Sequence, residues 1–237
     1  MDKERIIPES IGIIMDGNRR WAKAKGLPSK MGHHAGAEAV RNICRAATEL
    51  GIKYVTLYAF STENWKRDPD EIKEIMNLIR QFLKECETKL IGEENRICFI
   101  GDKERLDEDI KEKMLELESS TKERTGTCIT VAVNYGGRDD IVRAAVKMIK
   151  ANENKELLLN EITEEEFSKY LDTGIHGIKD PELIIRTSGE QRTSNFLTYQ
   201  SAYSEYYFTD LNWPDFNKDE LLKAIDSYNE RNRRLGV

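Results

Sequence analysis

The chain has 237 residues, of which 34% are charged and 39% hydrophobic, with a formal net charge of -6. That length can bury one full core as an α/β unit, and no linker divides it, so a single domain over residues 1–237 is expected. The acidic balance argues against nucleic acid as a partner, and any anion site must therefore be local.

Cys44, Cys86, Cys98 and Cys128 are widely spaced, form no C-x-x-C pair and sit in apolar contexts, which suits core positions in a reducing cytoplasm. The N-terminal Met-Asp-Lys-Glu-Arg lacks the apolar run of a secretion signal, and no stretch reaches the length of a membrane span. A soluble cytoplasmic protein is expected, with room for peripheral contact with a membrane.

The first element is the apolar run Ile11 to Met15, which predicts a strand and delivers Asp16-Gly17-Asn18-Arg19-Arg20-Trp21 at its end. A plain turn is one reading, with Asp16 bonded to its own backbone. Two guanidiniums beside an acid offer both a metal ligand and anion donors, which favours a phosphate-type site. Parallel α/β folds hold ligands at such strand ends, because adjacent loops converge there. After a short basic loop comes Gly32-His33-His34-Ala35-Gly36, and His34 to Leu50 then carries Ala37, Val40, Ile43, Cys44 and Ala47 at helical spacing, stopped by Gly51.

Lys53 to Phe60 is rich in β-branched and aromatic residues and predicts a second, buried strand, ending in Ser61-Thr62-Glu63-Asn64-Trp65-Lys66-Arg67. Asp68-Pro69 opens a long amphipathic helix with Ile72, Ile75, Met76, Ile79, Phe82, Leu83, Cys86 and Leu90 on one broad face. That face is either core or the wall of a hydrocarbon channel. A third strand is predicted over Arg96 to Gly101, a charged helix over Leu106 to Arg124, and a fourth strand over Cys128 to Asn134, leading to Tyr135-Gly136-Gly137-Arg138-Asp139-Asp140 and another helix.

From Asn152 to Asp180 the chain is acidic and weakly periodic, with one short helix near Thr163 to Leu171. A fifth strand, Glu182 to Arg186, runs into Arg186-Thr187-Ser188-Gly189-Glu190-Gln191-Arg192-Thr193-Ser194-Asn195. The stretch from Phe196 to Phe208 is dense in aromatics, and Trp213-Pro214-Asp215-Phe216 precedes a last helix from Lys218 with a basic end at Arg231, Arg233 and Arg234.

Strands alternating with helices imply the α/β class: a mainly parallel central sheet with helices on both faces. Polar clusters follow residues 15, 60, 134 and 186, so Arg19, Arg20, Arg67, Arg138, Arg186 and Arg192 are expected to gather near Asp16. Forked guanidiniums at this density suit two phosphate groups. In the competing reading, several of them pair with Glu63, Glu190 or Asp139 in surface salt bridges.

Other chemistries lack their signatures. There is no P-loop or dinucleotide fingerprint, and no G-x-S-x-G elbow. His33 and His34 are adjacent and His176 is isolated, which disfavours zinc. An aspartyl-nucleophile phosphohydrolase would want a second Asp where this chain has Asn18.

Together the segments Met15 to Ala22, Gly32 to Gly36, Tyr58 to Trp65, Asn134 to Arg138 and Arg186 to Phe196 resemble the cis-prenyltransferase family, in order and over nearly the whole chain. The resemblance implies a homodimer that uses Mg²⁺ to condense isopentenyl diphosphate onto an allylic diphosphate such as farnesyl diphosphate, creating cis double bonds. A long polyprenyl diphosphate for cell-wall lipid carriers would result. It implies Asp16 as catalytic acid and metal ligand, with Glu205 as a second ligand. Gly17, Asn18, Arg19, Arg20, Trp21 and His33 would form the allylic diphosphate pocket, and Arg186, Arg192, Thr193 and Ser194 would hold isopentenyl diphosphate. Ser61, Thr62, Glu63, Trp65 and Arg67 would form a mobile flap. The family assigns proton removal to Asn64; a neutral amide is a poor base, and orienting a diphosphate oxygen or a water is the alternative role.

Two departures from the family pattern stand out. Ser29, followed by Lys30, replaces a usual Arg, so one phosphate contact is missing or is made by a lysine point charge. Tyr199 replaces a common Trp. The alternatives are a short-chain or irregularly coupling relative and, from another class, a non-catalytic partner subunit. Non-catalytic partners lack the catalytic acid and much of the arginine set, both present here.

Overall fold

The computed structural model describes residues 5–86 and 94–231. Six strands form one wholly parallel sheet in the order β3-β4-β2-β1-β5-β6. They are β1 (Ser10–Ile14), β2 (Tyr54–Ser61), β3 (Arg96–Ile100), β4 (Cys128–Tyr135), β5 (Leu183–Arg186) and β6 (Glu205–Phe208). β1, β4 and β5 are buried along their whole length and β2 over most of its own, as suits parallel strands covered on both faces.

Eight α-helices accompany the strands among the described residues: α1 (Asn18–Ala24), α2 (Ser29–Glu49), α3 (Pro69–Cys86), α4 (Glu108–Thr121), α5 (Gly137–Glu153), α6 (Glu164–Tyr170), α7 (Asp172–Ile175) and α8 (Lys218–Glu230). The larger core packs α2, α3, α4 and α8 on one sheet face through Val40, Ile43, Ile79, Leu83, Met114 and Ile225 against Ile11, Ile13, Leu57 and Val131. The opposite face holds Ile14, Tyr58, Ala132 and Ile184 beneath Ile178, Phe196 and Leu197. A small third cluster joins α5 to α6 through Met148, Ala151, Phe167 and Tyr170. All four cysteines are buried and free.

Three differences from the sequence reading have physical causes. The helix expected from His34 begins at Ser29, so that Gly32, read as loop, lies inside it along with Gly36. A Cβ on Gly32 would stand 2.0 Å from the Asn18 carbonyl oxygen, so glycine is what lets α1 and α2 approach so closely. Second, β6 is a short edge strand reached through irregular chain and not through a helix, which left it without a periodic signal. Third, Trp213 belongs to the core: it is stacked on Phe216 and its indole donates to the Gly36 carbonyl at 2.9 Å. Leu90, Arg233 and Arg234 lie outside the described residues.

Candidate active site

The C-terminal ends of β1, β2 and β5 meet at one cavity of about 890 Å³. β1 delivers Asp16 there, and the turn is fixed by Gly17, whose φ of +106 is in the region open to glycine. A Cβ at Gly17 would also stand 2.4 Å from Asn212 Oδ1. The Thr187 hydroxyl clamps the Asp16 backbone, accepting from its N–H at 3.0 Å and donating to its carbonyl at 2.6 Å.

The Asp16 carboxylate lies between two guanidiniums, 2.9 Å from Arg20 and 3.0 Å from Arg186. Burial pushes its carboxyl up, but the two arginines outweigh that and hold it below the ordinary carboxylate value, so it is ionised at neutral pH. Arg186 is only 4% exposed. It donates to Ser194 Oγ at 2.7 Å and to the Arg192 carbonyl, which ties the loop after β5 to Asp16. Ser188, Ser194, Asn195 and Leu197 in that loop all have positive φ, a concentration of strain that the surrounding bonds must sustain.

On the facing wall, Ser61 ends β2, and Asn64 and Arg67 follow it. The Ser61 N–H donates to Asn64 Oδ1 at 3.0 Å, which turns the amide oxygen toward the backbone and leaves the NH₂ as the ligand-facing group. Arg67 reaches Glu71 at 2.8 Å, and the same carboxylate binds Arg19 at 3.1 Å. Glu71 thereby joins the rims formed by α1 and the post-β2 segment. Neither it nor Thr187 was anticipated, although Arg67 and Glu71 stand at the i, i+4 spacing of a helical ion pair. Tyr58 was also missed; its hydroxyl donates to the Tyr135 and Ser194 carbonyls at 3.1 and 3.3 Å.

Asp16, Gly17, Asn18, Arg19, Arg20, Ser29, His33, Ser61, Asn64, Arg67, Arg186 and Ser194 all line this cavity. Asn18, His33, Tyr58 and Ala59 also border a second, apolar pocket of about 120 Å³ between the sheet and α2 and α3, walled by Val40, Leu57, Ile79, Phe82 and Val131. Burial holds the His33 imidazole below its ordinary value, and its Nε2 and Asn18 Oδ1 are buried without a hydrogen-bond partner.

Other expected residues lie elsewhere. Trp21 donates to Asp215 at 2.7 Å and carries Lys25 over its ring. Trp65 packs on Phe60 and donates to Asn134 at 2.7 Å, while Thr62 and Glu63 bond to each other and Glu63 accepts from Asn195. Arg192 pairs with Glu190, as the salt-bridge reading had it, and neither it, Thr193 nor Arg138 borders the cavity. Glu205 requires a correction. Register sets it level with Leu183 and Ile11, at the far ends of β5 and β1 from Asp16, and its carboxylate holds Arg231 at 2.6 Å. One chain does not bring Asp16 and Glu205 to one metal ion. Among the described residues no three His, Cys, Asp or Glu side chains cluster as a metal site.

A family-wide sequence profile described as "Putative undecaprenyl diphosphate synthase" matches residues 14–236. An isoprenyl transferase of Clostridium perfringens is 46% identical, with 99% of this chain and 94% of that one covered. An isoprenyl transferase of Agrobacterium fabrum is also 46% identical, over 98% of this chain and 93% of that one. Among solved structures, lavandulyl diphosphate synthase from Lavandula x intermedia, in complex with dimethylallyl diphosphate, superposes with a TM-score of 0.92 at 36% identity, covering 97% of this chain and 98% of that one. A "probable undecaprenyl diphosphate synthase" from Campylobacter jejuni gives 0.81 at 32% identity, over 98% and 100% of the two chains. With the family motifs lying on one arginine-lined cavity above an apolar pocket, the chain belongs to the undecaprenyl diphosphate synthase family of isoprenyl transferases, the cis-prenyltransferases that its motifs resemble.

Proposed function

We propose that the protein condenses isopentenyl diphosphate units onto an allylic diphosphate, farnesyl diphosphate being the expected starter, with cis double bonds, and that the product is a long polyprenyl diphosphate for cell-wall lipid carriers. The observation that carries this reading is the shared wall of the two pockets: Met15, His33, Tyr58, Ala59 and Ile75 border both an arginine-lined cavity suited to diphosphates and an apolar pocket suited to the start of a hydrocarbon chain.

Breaking the allylic C–O bond sends its electron pair onto the departing diphosphate and leaves an allylic cation. Arg19, Arg20 and Arg67 line the cavity, and because Arg19 and Arg67 share the one carboxylate of Glu71, net positive charge is in place before the bond breaks. Arg186 holds Asp16 and the Ser194 loop in position and is itself nearly spent on them. The double bond of isopentenyl diphosphate attacks the cation, and the condensed cation then loses a proton. With its oxygen held by Ser61, Asn64 is a donor and not a base, so it orients a diphosphate oxygen that takes the proton.

The donor set fits Mg²⁺, which commonly takes one or two carboxylates and fills its shell with substrate phosphate oxygens and water. Ionised Asp16 would hold it at the cavity wall, and the ion would add positive charge against the departing diphosphate. The free cysteines suit a cytoplasmic protein, and the exposed Val142, Val146 and Ile149 of α5 suit a homodimer. The test is to incubate purified protein with farnesyl diphosphate, labelled isopentenyl diphosphate and Mg²⁺, and to size the product by chromatography. Long chains with cis double bonds are expected. A product of one or two additions, or an irregular coupling, would replace this reading with a short-chain or irregular transferase, and no incorporation would leave a non-catalytic partner.

A further inference from the structure

From Gly17 to Ala37 the chain has no Asp or Glu, yet it carries Arg19, Arg20, Lys23, Lys25 and Lys30, in a chain whose net charge is -6. Arg19 is taken by Glu71 and Arg20 by Asp16. No carboxylate among the described residues pairs with Lys23, Lys25 or Lys30, and the Lys25 ammonium instead stands 4.2 Å from the centroid of the Trp21 ring. Every residue from Lys23 to Met31 is exposed. Among these cations Leu27 and Met31 stand 40% and 43% exposed, with Pro28 between them in sequence.

Two large apolar side chains among unpaired lysines make a surface unlike the rest of an acidic protein. Its chemistry matches an anionic bilayer, whose negative leaflet attracts lysines while the interface accepts apolar side chains. Its place adds a reason for such contact. Lys23, Gly26, Leu27, Pro28 and Ser29 form part of the wall of the diphosphate cavity, so the patch and the mouth of the site are one piece of chain.

We propose that the segment from Lys23 to Met31 docks the protein on an anionic phospholipid surface, so that an amphiphilic product leaves the cavity directly into the bilayer. The purpose given for docking rests on the prenyltransferase reading; the docking itself does not and is measured separately.

The test is co-sedimentation of the full chain with vesicles of phosphatidylcholine alone or of equimolar phosphatidylcholine and phosphatidylglycerol. The wild type is expected to bind the mixed vesicles only, and to lose binding as salt is raised. Each lysine near the surface contributes roughly fivefold to such partitioning, so K25E with M31D should bind at least about tenfold more weakly. Its thermal midpoint and its turnover without vesicles should match the wild type. Equal binding to both vesicle types, or undiminished binding by the double variant, would overturn the proposal. So would release of the wild type by inorganic diphosphate at substrate concentrations, which would assign the lysines to the anion pocket. If the protein docks but makes no polyprenyl product, the activity assigned above fails and the docking stands.

Discussion

At the scale of single residues, the site depends on one carboxylate held in place from both its backbone and its side chain. Asp16 is fixed by the Thr187 hydroxyl through its backbone and by Arg20 and Arg186 through its side chain. Asp16→Ala removes the one acid at the centre of the arginine set. It should lower kcat by at least about a hundredfold, in line with the loss of a preorganised electrostatic group at a reacting centre. The fold should persist, because the residue is at a strand end and outside the core. Steady-state kinetics with Mg²⁺ alongside circular dichroism decide it, and near wild-type turnover in the variant would remove Asp16 from the chemistry.

At the scale of elements, the end of β2 decides what happens to the hydrocarbon. Ala59 borders both pockets, and it shares the walls of the apolar one with Ile79 and Phe82 of α3. Ala59→Leu adds three carbons there, and the walls on either side are packed strand and helix that yield little. Shorter products are expected, with the first units consumed at the normal rate. A product ladder identical to the wild type's would show that the chain grows elsewhere.

Much of this was legible in sequence because α2 and α3 carry strong amphipathic stripes, while β2 and β4 are dense in β-branched and aromatic residues. Asp16, Asn64, Arg67, Arg186 and Ser194 came from different loops yet fell together, since parallel strands put all their C-terminal ends on one side. Within one chain Glu205 lies away from Asp16 for the same geometric reason read the other way. It follows the motif loop closely in sequence, but β6 starts at the opposite end of the sheet, and nothing in the aromatic run announces that. Arg138 was expected at the rim because it follows β4, yet it begins α5 with its side chain exposed and outside the cavity.

At the scale of the whole molecule, a buried polar network ties α5 to the rest. Arg143 donates twice to Asp172 at 2.7 Å and once to Asp139, Asp172 accepts from the Gly101 N–H, and Asp140 accepts from Tyr135 and Gln200. Burial pushes the Asp140 carboxyl up, whereas Arg143 outweighs burial at Asp172 and holds its carboxyl down. Arg143→Ala would leave the largely buried Asp172 charge without its main partner. It should cost about 3 kcal/mol, a fall in Tm of roughly 10 °C for a domain of this size. Urea and thermal unfolding measure it, and a loss below about 1 kcal/mol would mean that Lys147 and the backbone donors suffice.

The same α5 presents its other side to solvent. Val142, Val146 and Ile149, at the i, i+4, i+7 spacing of a helix seam, are 61%, 45% and 60% exposed. Three aliphatic side chains in register on one helix are what a second copy of the helix packs against, and a two-fold contact would lay the stripe on its own image. The aromatic run offers no comparable seam: Trp213 is core, and β6 is partly covered by Arg231, which donates to the Tyr206 carbonyl at 2.6 Å. Val146→Glu puts a charge at the middle of the stripe, and in a two-fold contact that charge meets its own copy. The wild type should sediment as a dimer and the variant as a folded monomer with an unchanged circular dichroism spectrum. A monomeric wild type would remove the homodimer altogether, and a variant still dimeric at micromolar concentration would remove α5 from its interface.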